Sequence, residues 1–253
     1  MLGKMYKYEF LAMGRFLLPF FIAAAVLSGI ACVTTVLQTG PEQMYFSNIV
    51  VSIFVLALFV EFAAALIATI LRFQNGLLGR EGYLSMMLPV RMSTHIWCRL
   101  LTAMTWYVFS FLVIIACFML LLFAFSTQDQ GIVLRDALSS FRDLVILSPS
   151  TGVLSIVTLL TLAAVFILRI YASLSIGQLV DSHPLLLAFA VFLGFCVLSS
   201  IIRGSFTYDH MYYMYSTATA WREALLPLGE YLAECAAYYG ITWWILKNRL
   251  NLQ

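Results

Sequence analysis

Residues 46–71 read FSNIVVSIFVLALFVEFAAALIATIL, a run of 26 positions with one ionisable side chain, Glu61. An α-helix needs about 20 consecutive apolar residues to cross about 30 Å of hydrocarbon. The stretch reads as a membrane-crossing helix, and Glu61 is the group in it that hydrocarbon tolerates least.

Working outward, five more stretches read the same way: Phe16–Leu37, Leu100–Phe125, Gly152–Ile170, Pro184–Ile202 and Leu225–Leu246. Each is free of Lys and Arg until its last residue or so. Nothing alternates at period two for long, so a β-barrel is excluded in favour of helices. The composition agrees: 63% of the 253 residues are hydrophobic and 10% are charged, against about 25% charged in an ordinary soluble domain. The net charge of +2 is small and dispersed, which excludes a nucleic-acid partner. The expected architecture is an all-α integral membrane protein with six transmembrane helices, a single unit spanning residues 1–253 with no soluble domain appended.

The Lys and Arg positions set the expected orientation. With both termini on one side, that side holds Lys4, Lys7, Arg15, Arg72, Arg80, Arg91, Arg99, Arg169, Lys247 and Arg249, and the other holds Arg135, Arg142, Arg203 and Arg222. Ten against four puts both termini and the Arg72–Arg99 loop in the cytoplasm. The basic start and the segment GIAC (Gly29–Cys32) share features with a lipoprotein leader. The apolar run nevertheless continues to Leu37, longer than a signal core, so it reads as a retained span.

Conventional chemistry is missing. The five cysteines, Cys32, Cys98, Cys117, Cys196 and Cys235, form no CxxC and imply neither a disulfide framework nor a metal site. His95, His183 and His210 are far apart and outside the apolar runs, and each reads as a solvated interface residue. There is no HExxH, GxSxG or P-loop pattern, so no catalytic residue is assigned.

Three segments between the runs carry information. In residues 1–15, Leu2, Met5, Tyr6, Phe10 and Met13 share one helical face and Lys4, Lys7 and Arg15 the other, the pattern of a helix lying in the inner interface. Glu9 and Leu11 fall on the wrong faces, and a plain charged lead-in to the first span is the alternative. The cytoplasmic loop 72–99 is long for a compact protein. It clusters Tyr83, Leu84, Met87 and Leu88 at helical spacing before Pro89. A short exposed helix with apolar residues is a docking surface, or else packs on lipid. Between the last two runs, Tyr208, Tyr212, Tyr213, Tyr215 and Trp221 read as an aromatic belt or a substrate contact.

Inside the runs, acids are the sharper clue, because each costs about 3 kcal/mol near the centre of a lone helix. Ala57, Ala64, Ala65 and Ala68 stand on turns near Glu61, so that face can approach another helix closely. Glu230, Glu234, Tyr238 and Thr242 recur every four residues and form one polar stripe, which must face protein or water. Glu61, Glu230, Glu234 and Tyr238 are therefore candidates for a translocation path or gate. Interhelical hydrogen bonding is the alternative.

The loop GREGYLSMMLPVR (79–91) resembles the first cytoplasmic loop of bacterial ABC-2 type permeases, especially those of Firmicutes, in which a coupling helix precedes the third span. The start KYEFLAMGRFLLPFF (7–21) and the ending ITWWILKNRLNLQ (241–253) resemble the same family's interfacial helix and final helix. The resemblance implies a membrane subunit of an ATP-driven exporter in the bacterial plasma membrane, whose substrate is amphipathic, drug-like or peptide-like. It implies a second permease subunit, identical or different, and separate ATP-binding subunits that carry ATP and Mg, so that this chain binds no cofactor. It also implies that Arg80, Glu81, Gly82, Tyr83, Leu84, Met87, Leu88 and Pro89 carry the coupling to those subunits. Two other readings stay open: an ion-coupled transporter or channel using Glu61 and Glu234, and a non-transporting scaffold or immunity protein. On the charge count, Cys98 lies at the cytoplasmic surface and should react with an impermeant thiol reagent in inverted vesicles but not in intact cells.

Overall fold

The computed structural model describes residues 2–37, 40–78, 92–128, 139, 149–180, 183–213 and 220–248. The elements among them are helices: α1 (Leu2–Val36), α2 (Pro41–Phe73), α3 (Met92–Gln128), α4 (Pro149–Gly177), α5 (Pro184–Tyr213) and α6 (Ala220–Asn248). A π-helical turn, Gln74–Leu78, follows α2. Pro41, Pro149 and Pro184 each open a helix, where a missing N–H costs nothing because that donor has no intrahelical partner. Thr35, Thr69, Thr102, Ser175 and Thr242 donate to the carbonyl four residues earlier. Such back-bonding lets a hydroxyl sit in an apolar helix without a partner from another element.

Among the described residues, five helices contain segments long and apolar enough to cross a membrane: Gly3–Val36, Glu42–Leu77, Met92–Phe125, Ile156–Gly177 and Pro184–Gly204. Their outward faces carry large apolar side chains, among them Ile22, Phe59, Val153, Leu186 and Phe189, a surface suited to lipid and costly in water. The helix over 220–248 is of similar length, 29 residues, and carries Glu230 and Glu234 near its middle.

The helices outrun the apolar runs that announce them. α1 continues unbroken for 35 residues, about 52 Å at 1.5 Å per residue, so the expected separate interfacial helix over 1–15 is the first part of α1. Its apolar face is the one read from the sequence, but it packs on protein: Phe10 stacks on Trp106 at 4.7 Å and the Tyr6 hydroxyl donates to Thr105 at 3.1 Å. α3 starts eight residues before Leu100, which brings His95 and Cys98 into the helix. Both are buried, rather than at the aqueous surface where the sequence reading placed them. Arg80, Glu81, Gly82, Tyr83, Leu84, Met87, Leu88 and Pro89, expected to carry coupling, lie outside the described residues, and the side chains of Tyr208, Tyr212, Tyr213, Tyr215 and Trp221 do too.

The chain divides into two compact units. One comprises Gly3–Thr69 and Thr105–Ser148; the other comprises Ile70–Met104 and Pro149–Gln253 with the first two residues. In the first unit, α1, α2 and α3 bury one seam. Met13, Leu17, Ala64, Ala65, Ala68 and Trp106 form one cluster of it, and Ala31, Val50, Phe54, Cys117 and Leu121 form another. Trp106 donates its indole N–H to the Phe10 carbonyl at 3.2 Å, and its ring covers Gly14, where an added Cβ would meet it at 2.6 Å. In the second unit Phe73 stacks on Tyr171 at 4.1 Å. The Arg99 guanidinium donates to the Arg72 carbonyl, a cation satisfying an orphan acceptor at a helix C-terminus. α4 packs against α5 and α6, and at its end Gly177 lies so close to α5 that a Cβ would meet the Pro184 carbonyl at 2.5 Å.

Since Cys98 is buried, exposed positions make better reporters of topology. Tyr8 and Tyr45, near opposite ends of α1, are each 73% exposed. In a cysteine-free background, Tyr8→Cys and Tyr45→Cys should react with an impermeant maleimide from opposite faces of the membrane. Reaction of both from one face would mean that α1 does not cross.

Candidate functional site

The polar stripe of α6 faces protein. Thr242 and Tyr238 are buried, and Glu234 meets two arginines from two other helices. Its Oε2 accepts from Arg169 Nη2 of α4 at 2.9 Å, and its Oε1 accepts from Arg203 Nη2 of α5 at 3.1 Å. One carboxylate thus ties α4, α5 and α6 together, each oxygen serving a different guanidinium. Ser199 of α5 extends the cluster: it accepts from Arg169 Nη2 at 2.8 Å, donates to the Phe195 carbonyl at 2.8 Å and stands 3.2 Å from the Tyr238 hydroxyl. Cys196 Sγ lies 3.5 Å from Arg169 Nη1.

Rings complete the enclosure. The Arg169 guanidinium stands 5.4 Å from the Tyr238 ring centroid, and that of Arg203 4.7 Å from the ring of Tyr231. Such contacts strengthen as water is removed. Exposure grades across the cluster: the side chain of Arg169 is 10% exposed, that of Glu234 15% and that of Arg203 32%. Glu230, one turn earlier on α6, is half-buried and joins neither ion pair. Of the sequence candidates, Glu234 and Tyr238 therefore share a site, Glu230 stands at its edge, and Glu61 belongs to the other unit.

Arg169 and Arg203 are the residues that sequence reasoning missed. The charge count assigned them to opposite aqueous sides, yet both reach one carboxylate. Arg169 stands eight residues before the end of α4 and Arg203 ten before the end of α5. The signal was available: an intramembrane acid calls for a counter-charge, and the Arg residues nearest the runs were the ones to ask.

Glu61 presents the opposite case. It is fully buried in the first unit, and neither carboxyl oxygen has a hydrogen-bond partner among the described residues. Ala64, Ala65 and Ala68, further along α2, are buried in a cluster with Met13, Leu17 and Trp106, whereas Ala57 is half-buried. No group of three or more His, Cys, Asp or Glu suited to a metal ion occurs among the described residues, and all five cysteines are free thiols. The clasp in the second unit holds helices in register; it pairs no nucleophile with a base.

Comparison with protein-family models, with curated proteins and with solved structures gave no match.

Removing one partner of a buried ion pair leaves the other charge uncompensated, which costs about 3–5 kcal/mol. Glu234→Leu should therefore destabilise the detergent-solubilised protein by an amount of that order in thermal or denaturant unfolding, and Glu234→Gln by less. Arg203→Leu should be milder than Glu234→Leu, because the more deeply buried Arg169 keeps its carboxylate. Adding Arg169→Leu to Glu234→Leu should recover part of the loss. Equal stability of Glu234→Leu and the unmodified protein would remove the clasp from any account of the fold.

Proposed function

We propose that this chain is a membrane-spanning subunit of an ATP-driven exporter of the ABC-2 type, moving an amphipathic, drug-like or peptide-like substrate across the bacterial plasma membrane. The observation that carries the reading is the segment GREGYLSMMLPVR at 79–91, in order between the matching start at 7–21 and ending at 241–253. On this reading α6 is the sixth crossing and both termini are cytoplasmic. A second permease subunit completes the pathway, and separate subunits bind ATP and Mg.

Mechanically, Glu81 to Pro89 would form a short helix whose apolar side enters a groove on the ATP-binding subunit. A helix that short is unstable alone, since nucleation is unfavourable below about 12–15 residues. Flanking helices and the partner must brace it. Tyr83, Leu84 and Leu88 would dominate the contact, each contributing about 1.5–3 kcal/mol on full burial. Glu81 would add a charge-assisted hydrogen bond.

One observation weighs against the ion-coupled alternative as first framed. Glu234 is engaged at both oxygens by guanidinium groups, and a carboxylate so occupied is a poor site for a transported cation. An ATP-binding cassette gene beside this one would favour the exporter reading over a scaffold or immunity protein.

Changing Leu84 and Leu88 together to Asp should leave the chain inserted in the membrane. It should abolish co-purification with the ATP-binding subunit, or the stimulation of ATP hydrolysis by substrate. A double variant that assembles and transports normally would show that this segment is not the coupling element.

A further inference from the structure

The face of α1 turned away from the seam carries charge at one end and apolar side chains along the rest. At about 100° per residue, Tyr6, Phe10, Met13 and Leu17 share the side that packs on α2 and α3. Lys4, Lys7, Tyr8, Leu11 and Arg15 lie on the other side, within an arc of about 100°. All five are exposed, Tyr8 by 73% and Leu11 by 49%. Glu9, the acid of this stretch, lies about 150° from the centre of that arc. Among the described residues, none of Lys4, Lys7 and Arg15 joins an ion pair.

Beyond Arg15 the same face continues as Leu18, Ile22, Val26 and Val33, each exposed. On a crossing helix these side chains meet acyl chains. From Arg15 to Val26 the helix rises about 17 Å, close to half of the roughly 30 Å hydrocarbon thickness, which is one leaflet. In the opposite direction Lys7 stands about 12 Å beyond Arg15 and Lys4 about 17 Å. A headgroup layer about 5–8 Å deep therefore falls between Arg15 and Lys7. Long basic side chains bring their charges towards such a layer while their stems stay on apolar surface. Tyr8 and Leu11 fill the space between, an aromatic ring with a polar tip being suited to headgroup level.

We propose that this face of α1 binds an anionic phospholipid, its phosphate held between Arg15 and Lys7 and its acyl chains laid along Leu18, Ile22 and Val26. The order of side chains along the face is the order of groups in the lipid, cations first and then an apolar strip one leaflet long. An acidic protein segment would answer the cations and leave the apolar continuation on the same face unexplained. A zwitterionic lipid would leave the cations unbalanced, because no acid shares their arc. Arg15, nearest the hydrocarbon, presents a planar fork that matches phosphate oxygens. Lys4, furthest out, adds attraction to the surrounding anionic surface, which reaches about a Debye length.

Electron spin resonance of the full chain in phosphatidylcholine vesicles tests the site without any ATP-binding subunit, so its outcome is independent of the exporter reading. The probe is a trace of spin-labelled phosphatidylglycerol or, in parallel, spin-labelled phosphatidylcholine. The motionally restricted fraction should show a several-fold preference for phosphatidylglycerol, and that preference should shrink as salt rises. Changing Lys4, Lys7 and Arg15 together to Gln should bring the preference close to one. Thermal unfolding should stay unchanged, because the three side chains are exposed. Lys7→Arg should retain the preference, and so should Lys247→Gln, whose charge lies on α6. A preference that survives the triple change would overturn the proposal, as would one that Lys247→Gln removes equally. Abolition of the preference by inorganic phosphate at constant ionic strength would make the site one for a free ion and overturn it too.

Discussion

Hydrocarbon offers no hydrogen bonds, so a charged side chain within it must be met by another part of the protein. Among the described residues, the Arg169–Glu234–Arg203 clasp meets a carboxylate of α6 with cations from α4 and α5, two helices long and apolar enough to cross a membrane. Apolar packing between helices in lipid is weak in direction, because lipid tails are as apolar as the side chains they would replace. An ion pair is not. With Oε2 at 2.9 Å from one guanidinium and Oε1 at 3.1 Å from another, a shift of either neighbour by one helical turn, about 5.4 Å, would break a contact. The clasp therefore sets register where apolar contact alone would leave it loose.

The first unit solves the same problem by avoiding it. Its seam is closed by small residues, Ala24, Ala31, Ala64, Ala65 and Ala68, and by one large anchor, Trp106, fitted over Gly14. Small residues allow close approach of helix backbones, which is the packing available when no hydrophobic driving force separates protein from lipid. Within such a seam a single acid stands out. The two acids named together from sequence, Glu61 and Glu234, thus have opposite surroundings among the described residues, one without a hydrogen-bond partner and one with two.

What the sequence made legible was periodicity. The four-residue recurrence of Glu230, Glu234, Tyr238 and Thr242 identified the inward face of α6, and the alanines around Glu61 identified the close-packed face of α2. What it hid was the extent of the helices. Hydropathy marks where a run is apolar, whereas a helix continues wherever its backbone bonds do, and α3 gains eight residues and α1 more than a dozen beyond their runs. His95, Cys98, Arg169 and Arg203 were all placed by the edge of an apolar run, and all four lie within helices. Partner choice was the other hidden quantity: position 203 follows position 169 by 34 residues, and no local pattern announces that both meet residue 234.

The contrast between the acids also bears on which kind of machine the chain can belong to. A carrier driven by a cation gradient must load and unload its coupling acid in every cycle, so that acid needs a second, competing partner rather than two permanent ones. Glu234 is held at both oxygens by guanidinium groups, and freeing it would leave the buried Arg169 without its carboxylate. A carboxylate held at both oxygens therefore favours a fixed register of α4, α5 and α6. On the exporter reading proposed above, force would enter through the segment at 79–91 and not at the clasp.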